Sequence, residues 1–341
     1  MKAAVWTGTD TIEIQDLPVP EPGEGEALIK VRAAGVCVTD YHVISGKLKI
    51  GAPPNVQGHE ICGEVVRVCG PSGLRAGTRC VIKTTFGCGR CAMCKSGRAY
   101  LCNECAEIGY TPYHGGYEEY LKVPISAVEP IPDSVSDLAA AIMECCVCPT
   151  ESLLRIGVRR GETMLVTGNG PAALSFLMMG KVFGAGRILS VLRDPAKAEL
   201  VRRFGATDVI VSGDPAEIER EVIRLTDGNK APLVVEATGA AAVIESCFDY
   251  CAKGGRLIQY GICGDDDRVN LPVKKLVTDE ITVYGTVGNA MAWTTLIDLI
   301  SRKKIDLEPM VTHTFRLEDI DKAFDLYRRH DRTLVKAVIT F

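Results

Sequence analysis

From residue 162 to residue 284, short apolar segments alternate with longer segments of helical periodicity. In a chain of 341 residues, long enough for about two domains, this alternation predicts an α/β domain with a doubly wound parallel sheet. The predicted strands are 164–167, 188–191, 209–211, 233–236, 256–260 and 281–284, and the predicted helices are 172–183, 195–204, 216–225 and 240–251.

The first of these strands ends in a glycine-rich turn with the sequence GNGPAA. Gly168 allows a tight turn, and Gly170 lets the backbone approach a pyrophosphate. The helix that begins around Pro171 and Ala172 supplies N–H donors and partial positive charge. Ala173 occupies the third position, where glycine is usual. Because the turn opens a βαβ pattern, it predicts dinucleotide binding rather than an ordinary turn.

The first third of the chain is rich in short predicted strands separated by Gly and Pro, which is typical of an antiparallel, barrel-like domain. A helix at 138–145, capped by Ser136 or Asp137, is predicted to bridge the two domains. We expect the C-terminal stretch to complete the first domain, because the parallel sheet already has six strands. That stretch contains predicted helices at 293–302 and 317–329 and a predicted strand at 335–340.

Four of the fifteen cysteines lie in one segment with the spacing C-x2-C-x2-C-x7-C. No apolar signal-peptide core follows the start of the chain, so metal binding explains them better than disulfide bonds. Four thiolates within one loop are enough for a closed, structural zinc site. The alternative is four unrelated cysteines, and Cys105 is interpreted as a bystander. The four predicted ligands are Cys88, Cys91, Cys94 and Cys102.

A second group of candidate ligands comprises Cys37, His59 and Glu60. One thiolate, one imidazole and one carboxylate leave zinc an open position for water or substrate. Each of these residues can also be explained without a metal: Cys37 as a thiol in the core, His59 as a hydrogen-bonded histidine in a turn, and Glu60 as a solvated charge. Glu144 stands on an otherwise apolar helix, where a metal could offset its burial; alternatively it faces solvent or pairs with Arg155.

The composition excludes some partners. Lys+Arg 39 against Asp+Glu 43 gives a net charge of -4, without the basic face that nucleic-acid binding requires. The apolar stretch 164–183 is interrupted at its glycine turn, which argues against a membrane span. We therefore expect a cytoplasmic globular protein without nucleic-acid or membrane partners.

These motifs together resemble the zinc-dependent medium-chain alcohol dehydrogenase family, in particular its sorbitol dehydrogenase-like, or polyol, branch. The resemblance covers nearly the whole chain. Glu144 stands where the polyol branch has a glutamate and the classical alcohol dehydrogenases have a cysteine. The motifs are GVCVTDYH (35–42), GHEICGEVVRVCG (58–70), GCGRCAMCKSGRAYLC (87–102) and GNGPAA (168–173).

The resemblance implies a GroES-like β-barrel catalytic domain, residues 1–147 and 286–341 with a zinc lobe at 87–105. A Rossmann coenzyme domain would occupy 148–285. It also implies two zinc ions per chain: a structural zinc on the four cysteines, and a catalytic zinc on Cys37 and His59. Glu60 and Glu144 are then alternating ligands or partners of the zinc-bound water, and which of them binds directly stays open. A homotetramer or homodimer is usual in the family.

The resemblance further implies interconversion of a secondary alcohol and its ketone by hydride transfer. Thr39 is placed like the family's relay hydroxyl and His42 like the histidine that passes the proton onward; Val287 is a predicted coenzyme contact. The substrate, whether a polyol, a cyclitol or a simple secondary alcohol, and the physiological direction stay open. Val43 and the pair Gly288-Asn289 replace residues that the polyol enzymes use to recognise substrate hydroxyls, so recognition of a linear polyol is disfavoured.

The second predicted strand of the α/β domain indicates the choice of coenzyme. Leu192 aligns with the acidic residue that binds the ribose 2′-hydroxyl of NAD, whereas Arg193 and Lys197 can bind the 2′-phosphate of NADP. NADP is therefore favoured over NAD. In the alternative register, Asp194 takes the ribose and Arg193 points to solvent.

Two other functions remain open from the sequence. A zinc-free medium-chain reductase of activated C=C bonds is disfavoured, because that branch lacks Cys37, His59 and the four-cysteine lobe. A non-catalytic coenzyme-binding protein that retains the fold is disfavoured by the presence of Thr39 and His42.

Overall fold

The computed structural model describes residues 1–110, 112–264, 266–288 and 292–341. The chain divides into two compact units: unit 1 comprises Met1–Glu144 and Asn289–Phe341, and unit 2 comprises Cys145–Gly288. The divisions lie close to the predicted limits at 147 and 286, although the exact limits stay a prediction. Within the described ranges, no helix is both long and apolar enough to cross a bilayer.

The N-terminal part of unit 1 consists mainly of short strands joined by Gly- and Pro-containing turns. Its strands are β1 (Lys2–Gly8), β2 (Thr11–Asp16), β3 (Glu26–Val36), β4 (Asn55–Val56), β5 (Glu60–Cys69), β6 (Arg79–Ile82), β7 (Thr85–Phe86), β8 (Ala106–Glu107), β9 (Tyr120–Pro124) and β10 (Val128–Pro130). Its helices are α1 (Val38–Ile44), α2 (Ala92–Lys95) and α3 (Asp137–Ala141).

Unit 2 alternates strands and helices, as the sequence predicts. The helices are α4 (Glu144–Ile156), whose first residue belongs to unit 1, α5 (Pro171–Val182), α6 (Ala198–Arg203), α7 (Pro215–Leu225), α8 (Ala241–Tyr250) and α9 (Val273–Thr278). The strands are β11 (Thr163–Thr167), β12 (Arg187–Leu192), β13 (Asp208–Val211), β14 (Ala231–Glu236), β15 (Cys251–Gln259) and β16 (Thr282–Gly285).

The six strands of unit 2 form one parallel sheet in the order β13-β12-β11-β14-β15-β16. After β11, the chain adds β12 and β13 on one side of it and then β14, β15 and β16 on the other side. The direction in which strands are added therefore reverses between β11 and β14. Their central residues, such as Leu165 and Val234, are fully buried, as expected for strands covered on both faces. Ligands of such sheets bind beyond the carboxyl ends of the strands at this switch point.

The C-terminal stretch returns to unit 1. Its elements are α10 (Ala292–Ser301), β17 (Val311–Arg316), α11 (Ile320–Arg328) and β18 (Lys336–Thr340). β18 pairs antiparallel with β3 and parallel with β17, within a sheet ordered β10-β6-β5-β3-β18-β17 in which β9 also pairs with β3. Ile339 and Phe324 are consequently buried in the core of unit 1 beside Val36 and Ile61.

Two sequence predictions need correction. The single helix predicted at 138–145 is wrong: Ser136 caps α3, but this helix ends at Ala141 and α4 starts at Glu144. The break places Glu144 in a first helical turn, where backbone N–H groups favour a carboxylate. Strand β17 and helix α9 were not predicted. Residues of β17 alternate only between half-buried and exposed, so its sequence has no strong apolar pattern.

Candidate catalytic metal centre and coenzyme site

Two neighbouring strand ends bring the predicted catalytic ligands together. Cys37 follows the last residue of β3, and His59 precedes the first residue of β5. These strands pair with Gly35 opposite Glu60. One ligand atom from each of Cys37, His59 and Glu60 lies within 4.8 Å of the others. Residues separated in sequence therefore form one cluster.

Glu144 joins this cluster from the first turn of α4. Its Oε2 lies 4.0 Å from His59 Nε2, and Thr84 Oγ1 donates to its Oε1 at 3.4 Å. The Glu144 side chain is only 13% exposed, so the alternative in which it faces solvent is wrong. Burial raises the pKa of Glu144 to about 7; the His59 ring opposes this shift and the Glu60 carboxylate adds to it. A nearby cation would favour the ionised form.

Asp40 orients the histidine, a role that the sequence analysis did not assign. Its Oδ1 lies 3.1 Å from His59 Nδ1, while Tyr117 Oη donates to Oδ2 at 2.7 Å and the Cys37 N–H donates to Oδ2 at 3.1 Å. Burial alone would raise the pKa of Asp40, but these partners hold it below its ordinary value. An ionised Asp40 fixes the proton on Nδ1 and leaves Nε2 free to bind a metal. The sequence signal that points to Asp40 is its position inside the GVCVTDYH motif, three residues after Cys37.

Glu60 is buried and forms an ion pair with Lys336, the first residue of β18. The alternative of a solvated Glu60 is therefore wrong. Lys336 Nζ also donates to the Val36 carbonyl at 3.3 Å. In the described structure, Glu60 Oε2 is buried without a hydrogen-bond partner. This unpartnered oxygen, together with a thiolate and an imidazole, fits a zinc site that keeps one position open.

The two predicted relay residues lie on one face of α1. Thr39 and His42 are three residues apart, a spacing that makes side chains neighbours on a helix. Thr39 Oγ1 lies 3.5 Å from Cys37 Sγ. Burial lowers the pKa of His42, and the charge of Lys47 lowers it further. His42 therefore stays a neutral proton acceptor to a lower pH than an exposed histidine.

The four-cysteine lobe forms the second metal cluster: one ligand atom from each of the four cysteines lies within 4.8 Å of the others. The Cys94 N–H donates to Cys91 Sγ at 3.4 Å, and the Glu104 N–H donates to Cys102 Sγ at 3.3 Å. A Cβ at Gly87 would lie 2.5 Å from Cys94 Sγ, so glycine is required there. Four cysteines and no open position fit a structural zinc.

The glycine turn lies between β11 and α5. Gly168 has a φ of +101°, which favours glycine, and its N–H donates to the Val191 carbonyl at 3.0 Å. Gly170 is the N-cap of α5, with Pro171 in the first turn, and Ala173 is buried beneath the turn. This geometry is that of a phosphate-binding helix N-terminus.

The predicted coenzyme-selecting residues surround the end of β12. Leu192 is its last residue and is buried, whereas Arg193 is exposed. Asp194 Oδ1 accepts a hydrogen bond from the Ala196 N–H at 3.0 Å, so this carboxylate caps the following turn. Lys197 is half-buried at the start of α6, and Val287 is 55% exposed.

The structure describes only some of the residues that were expected to affect substrate recognition. Val43 is buried in the core of unit 1. Asn289 lies outside the described residues. The Tyr110 ring, which the sequence analysis did not select, stacks near His59 with ring centroids 6.1 Å apart and is 8% exposed.

Comparison with known proteins agrees with this geometry. Residues 23–133 match the family described as "Alcohol dehydrogenase GroES-like domain", and residues 172–302 match "Zinc-binding dehydrogenase". The chain is 30% identical to a sorbitol dehydrogenase of Halalkalibacterium halodurans, covering 95% of each chain. It is also 30% identical to an L-threonine 3-dehydrogenase of Pyrococcus abyssi, covering 96% of this chain and 94% of the relative.

A solved structure of a zinc-binding dehydrogenase from Sinorhizobium meliloti 1021, bound to NADP, is similar with a TM-score of 0.92 and 25% identity. The match covers 100% of this chain and 99% of that one. The chain therefore belongs to the zinc-dependent medium-chain alcohol dehydrogenase family. Its GroES-like domain, its Rossmann domain and its character as a zinc- and NAD(P)-dependent oxidoreductase confirm the sequence predictions.

We predict that Cys94→Ser lowers the zinc content from two ions per chain to one and lowers the melting temperature. The lobe would lose one of its four ligands, and a structural zinc stabilises the loop that holds it. Cys105→Ser in the same lobe is the matched control and should retain both ions. Elemental analysis and thermal unfolding measure the two effects. Equal zinc content in Cys94→Ser and Cys105→Ser would contradict the assignment.

Proposed function

We propose that this protein interconverts a secondary alcohol and its ketone, using NAD(P) and a catalytic zinc held by Cys37, His59 and one of the two nearby glutamates. The observation that carries the proposal is the convergence of Cys37, His59 and Glu60 within 4.8 Å, with Glu144 Oε2 4.0 Å from His59 Nε2. The sorbitol and threonine dehydrogenase relatives also act, by their names, on hydroxyl-bearing compounds.

The proposed mechanism divides the work among a few side chains. When bound, zinc supplies Lewis acidity that lowers the pKa of the substrate hydroxyl. Asp40 holds His59 in the tautomer that leaves Nε2 available. Thr39 Oγ1 would take the hydroxyl proton while releasing its own, and His42 would accept the relayed proton and return it to solvent; the coenzyme, when bound, would take up the hydride. A relay of this kind would carry the proton out of a site in which the side chains of Asp40, His59 and Glu60 are buried.

A screen of secondary alcohols and ketones tests the function. We expect coenzyme reduction with at least one polyol, cyclitol or simple secondary alcohol, and loss of activity with a chelator. Cys37→Ser should abolish turnover while leaving the melting temperature close to that of the wild type. Cys69→Ser, a half-buried thiol outside both clusters, is the matched control and should stay active. Full activity of Cys37→Ser would contradict the proposal.

We predict that His42→Ala lowers kcat/KM for alcohol oxidation most at low pH, where hydroxide and buffer bases are too scarce to replace the relay. Lys47→Gln gives the converse test. Because Lys47 lowers the pKa of His42, its removal should raise that pKa and move the acid limb of the pH profile to higher pH. A profile unchanged in both variants would remove His42 from the mechanism.

NADP is the proposed coenzyme in preference to NAD. Leu192 places no carboxylate at the end of β12, and Arg193 is exposed immediately after it. The hydrogen bond from the Ala196 N–H occupies an oxygen of Asp194, which supports a capping role over ribose binding. The related Sinorhizobium structure was solved with NADP.

We predict at least about a tenfold preference for NADP in kcat/KM, and a loss of about 1.4 kcal/mol or more with NADP in Arg193→Ala. Activity with NAD should change little, because NAD lacks the 2′-phosphate that the guanidinium would bind. Steady-state kinetics with both coenzymes and one good substrate measure the effect. An NAD preference that survives Arg193→Ala but collapses in Asp194→Ala would reverse the assignment.

A homo-oligomer, dimer or tetramer, is the proposed assembly. Unit 2 exposes apolar side chains on its edge strand β16 and on α9, among them Val277 at 67% and Val283 at 41%. Exposed apolar groups of this kind are typical of protein contact surfaces. Light scattering of the purified protein gives the oligomer size.

A further inference from the structure

A buried carboxylate lies at the switch point of the parallel sheet in unit 2. Glu236 is the last residue of β14 and is fully buried. In register it pairs with Thr167, the last residue of β11, and with Gln259, the last residue of β15. Its side chain is therefore at the carboxyl edge of the sheet, where ligands of this architecture bind.

Loop donors, rather than a cation, stabilise this carboxylate. Its Oε1 accepts from the Thr238 N–H at 2.7 Å and from Thr238 Oγ1 at 2.5 Å. Its Oε2 accepts from the Gly239 N–H at 3.1 Å and from Gln259 Nε2 at 2.9 Å. Among the described residues, Glu236 has no ion pair with Lys or Arg. Burying a carboxyl group is costly unless hydrogen bonds satisfy it, so displacing the loop that carries Thr238 and Gly239 would be unfavourable.

The same carboxylate couples three loops. A Cβ at Gly168 would lie 3.2 Å from Thr238 Cγ2 and 3.5 Å from the Ala237 carbonyl oxygen, so the glycine turn packs against the loop after β14. A Cβ at Gly261 would lie 2.5 Å from Glu236 Oε2, so the segment after β15 also approaches the carboxylate. Displacing Thr238 would disturb the glycine turn beside it.

We propose that Glu236 is a positioning residue for the coenzyme: it holds the loop 237–239 against the glycine turn, so that both are ordered before a dinucleotide binds. Ordering a loop in advance improves affinity by reducing the entropy lost on binding. The inference rests on the proposed coenzyme site. It differs from the role of Arg193, because Glu236 sets affinity for NADP and NAD alike.

The test is the isosteric variant Glu236→Gln, with coenzyme dissociation constants measured by NADPH and NADH fluorescence titration. We expect Kd to rise about tenfold for both coenzymes, with kcat at saturating coenzyme close to that of the wild type. The pattern differs from a merely structural defect, which would lower the amount of active protein and leave Kd unchanged.

Glu162→Gln is the matched control. Glu162 is also poorly exposed in unit 2, but it pairs with Arg256 at 2.5 Å immediately before β11, at the amino edge of the sheet. We expect this variant to lower the melting temperature without changing either Kd. An equal Kd in wild type and Glu236→Gln would overturn the inference, as would equal rises in Glu236→Gln and Glu162→Gln.

Thr238→Val keeps the test decisive if Glu236→Gln does not fold. It removes the hydroxyl of an exposed residue, and this hydroxyl donates to Glu236 Oε1 and accepts from the Ala240 N–H at 3.1 Å. A severalfold rise in both Kd values with an unchanged melting temperature supports the inference, and unchanged Kd values overturn it. Failure of the wild type to bind either coenzyme would instead contradict the proposed function, which separates the two failures.

Discussion

The antiparallel pairing of β3 with β18 determines the geometry of the candidate metal centre. Cys37 follows the last residue of β3, and another strand paired with β3, β5, begins with Glu60. The β18 register places Ala337 opposite Val36, which brings Lys336 to Glu60. A shift of one residue in this pairing would turn the Lys336 side chain to the opposite face of the sheet. The charge balance of the site therefore depends on a strand contributed by the last residues of the chain.

Electrostatics favours a cation in this cluster, as the proposed catalytic zinc would supply. Asp40 and Glu60 are fully buried and Glu144 nearly so, and the described site offers them one lysine and one histidine as basic partners. Burying several carboxylates is unfavourable unless protons, hydrogen bonds or a metal compensate. Tyr117 and the Cys37 N–H satisfy Asp40, and Lys336 satisfies one oxygen of Glu60. Glu60 Oε2 has no hydrogen-bond partner in the described structure, and Glu144 has only Thr84 at 3.4 Å and His59 at 4.0 Å, so both carboxyl groups are available to the proposed zinc ion.

The features that sequence could predict are those with local causes. Neighbouring residues specify both the glycine turn between a strand and a helix and the four cysteines of one loop. The Rossmann turn and the zinc lobe could therefore be predicted from the sequence. Lys336 and Tyr110 were not, because their proximity to the site depends on strand register and loop folding far from Cys37. The break between α3 and α4 was also missed, because the apolar pattern continues through Ile142 and Met143.

In the proposed coenzyme site, affinity for the coenzyme and choice between NADP and NAD depend on residues at the ends of different strands. Arg193 is exposed after β12, whereas Glu236 is buried as the last residue of β14 and accepts hydrogen bonds from Thr238, Gly239 and Gln259. A substitution at an exposed position generally changes stability little, while loss of a buried, fully bonded carboxylate disturbs every group it contacts. On these proposals, residue 193 can vary with the 2′-substituent of the ribose, whereas a substitution of Glu236 would disturb the turn that is proposed to bind either dinucleotide.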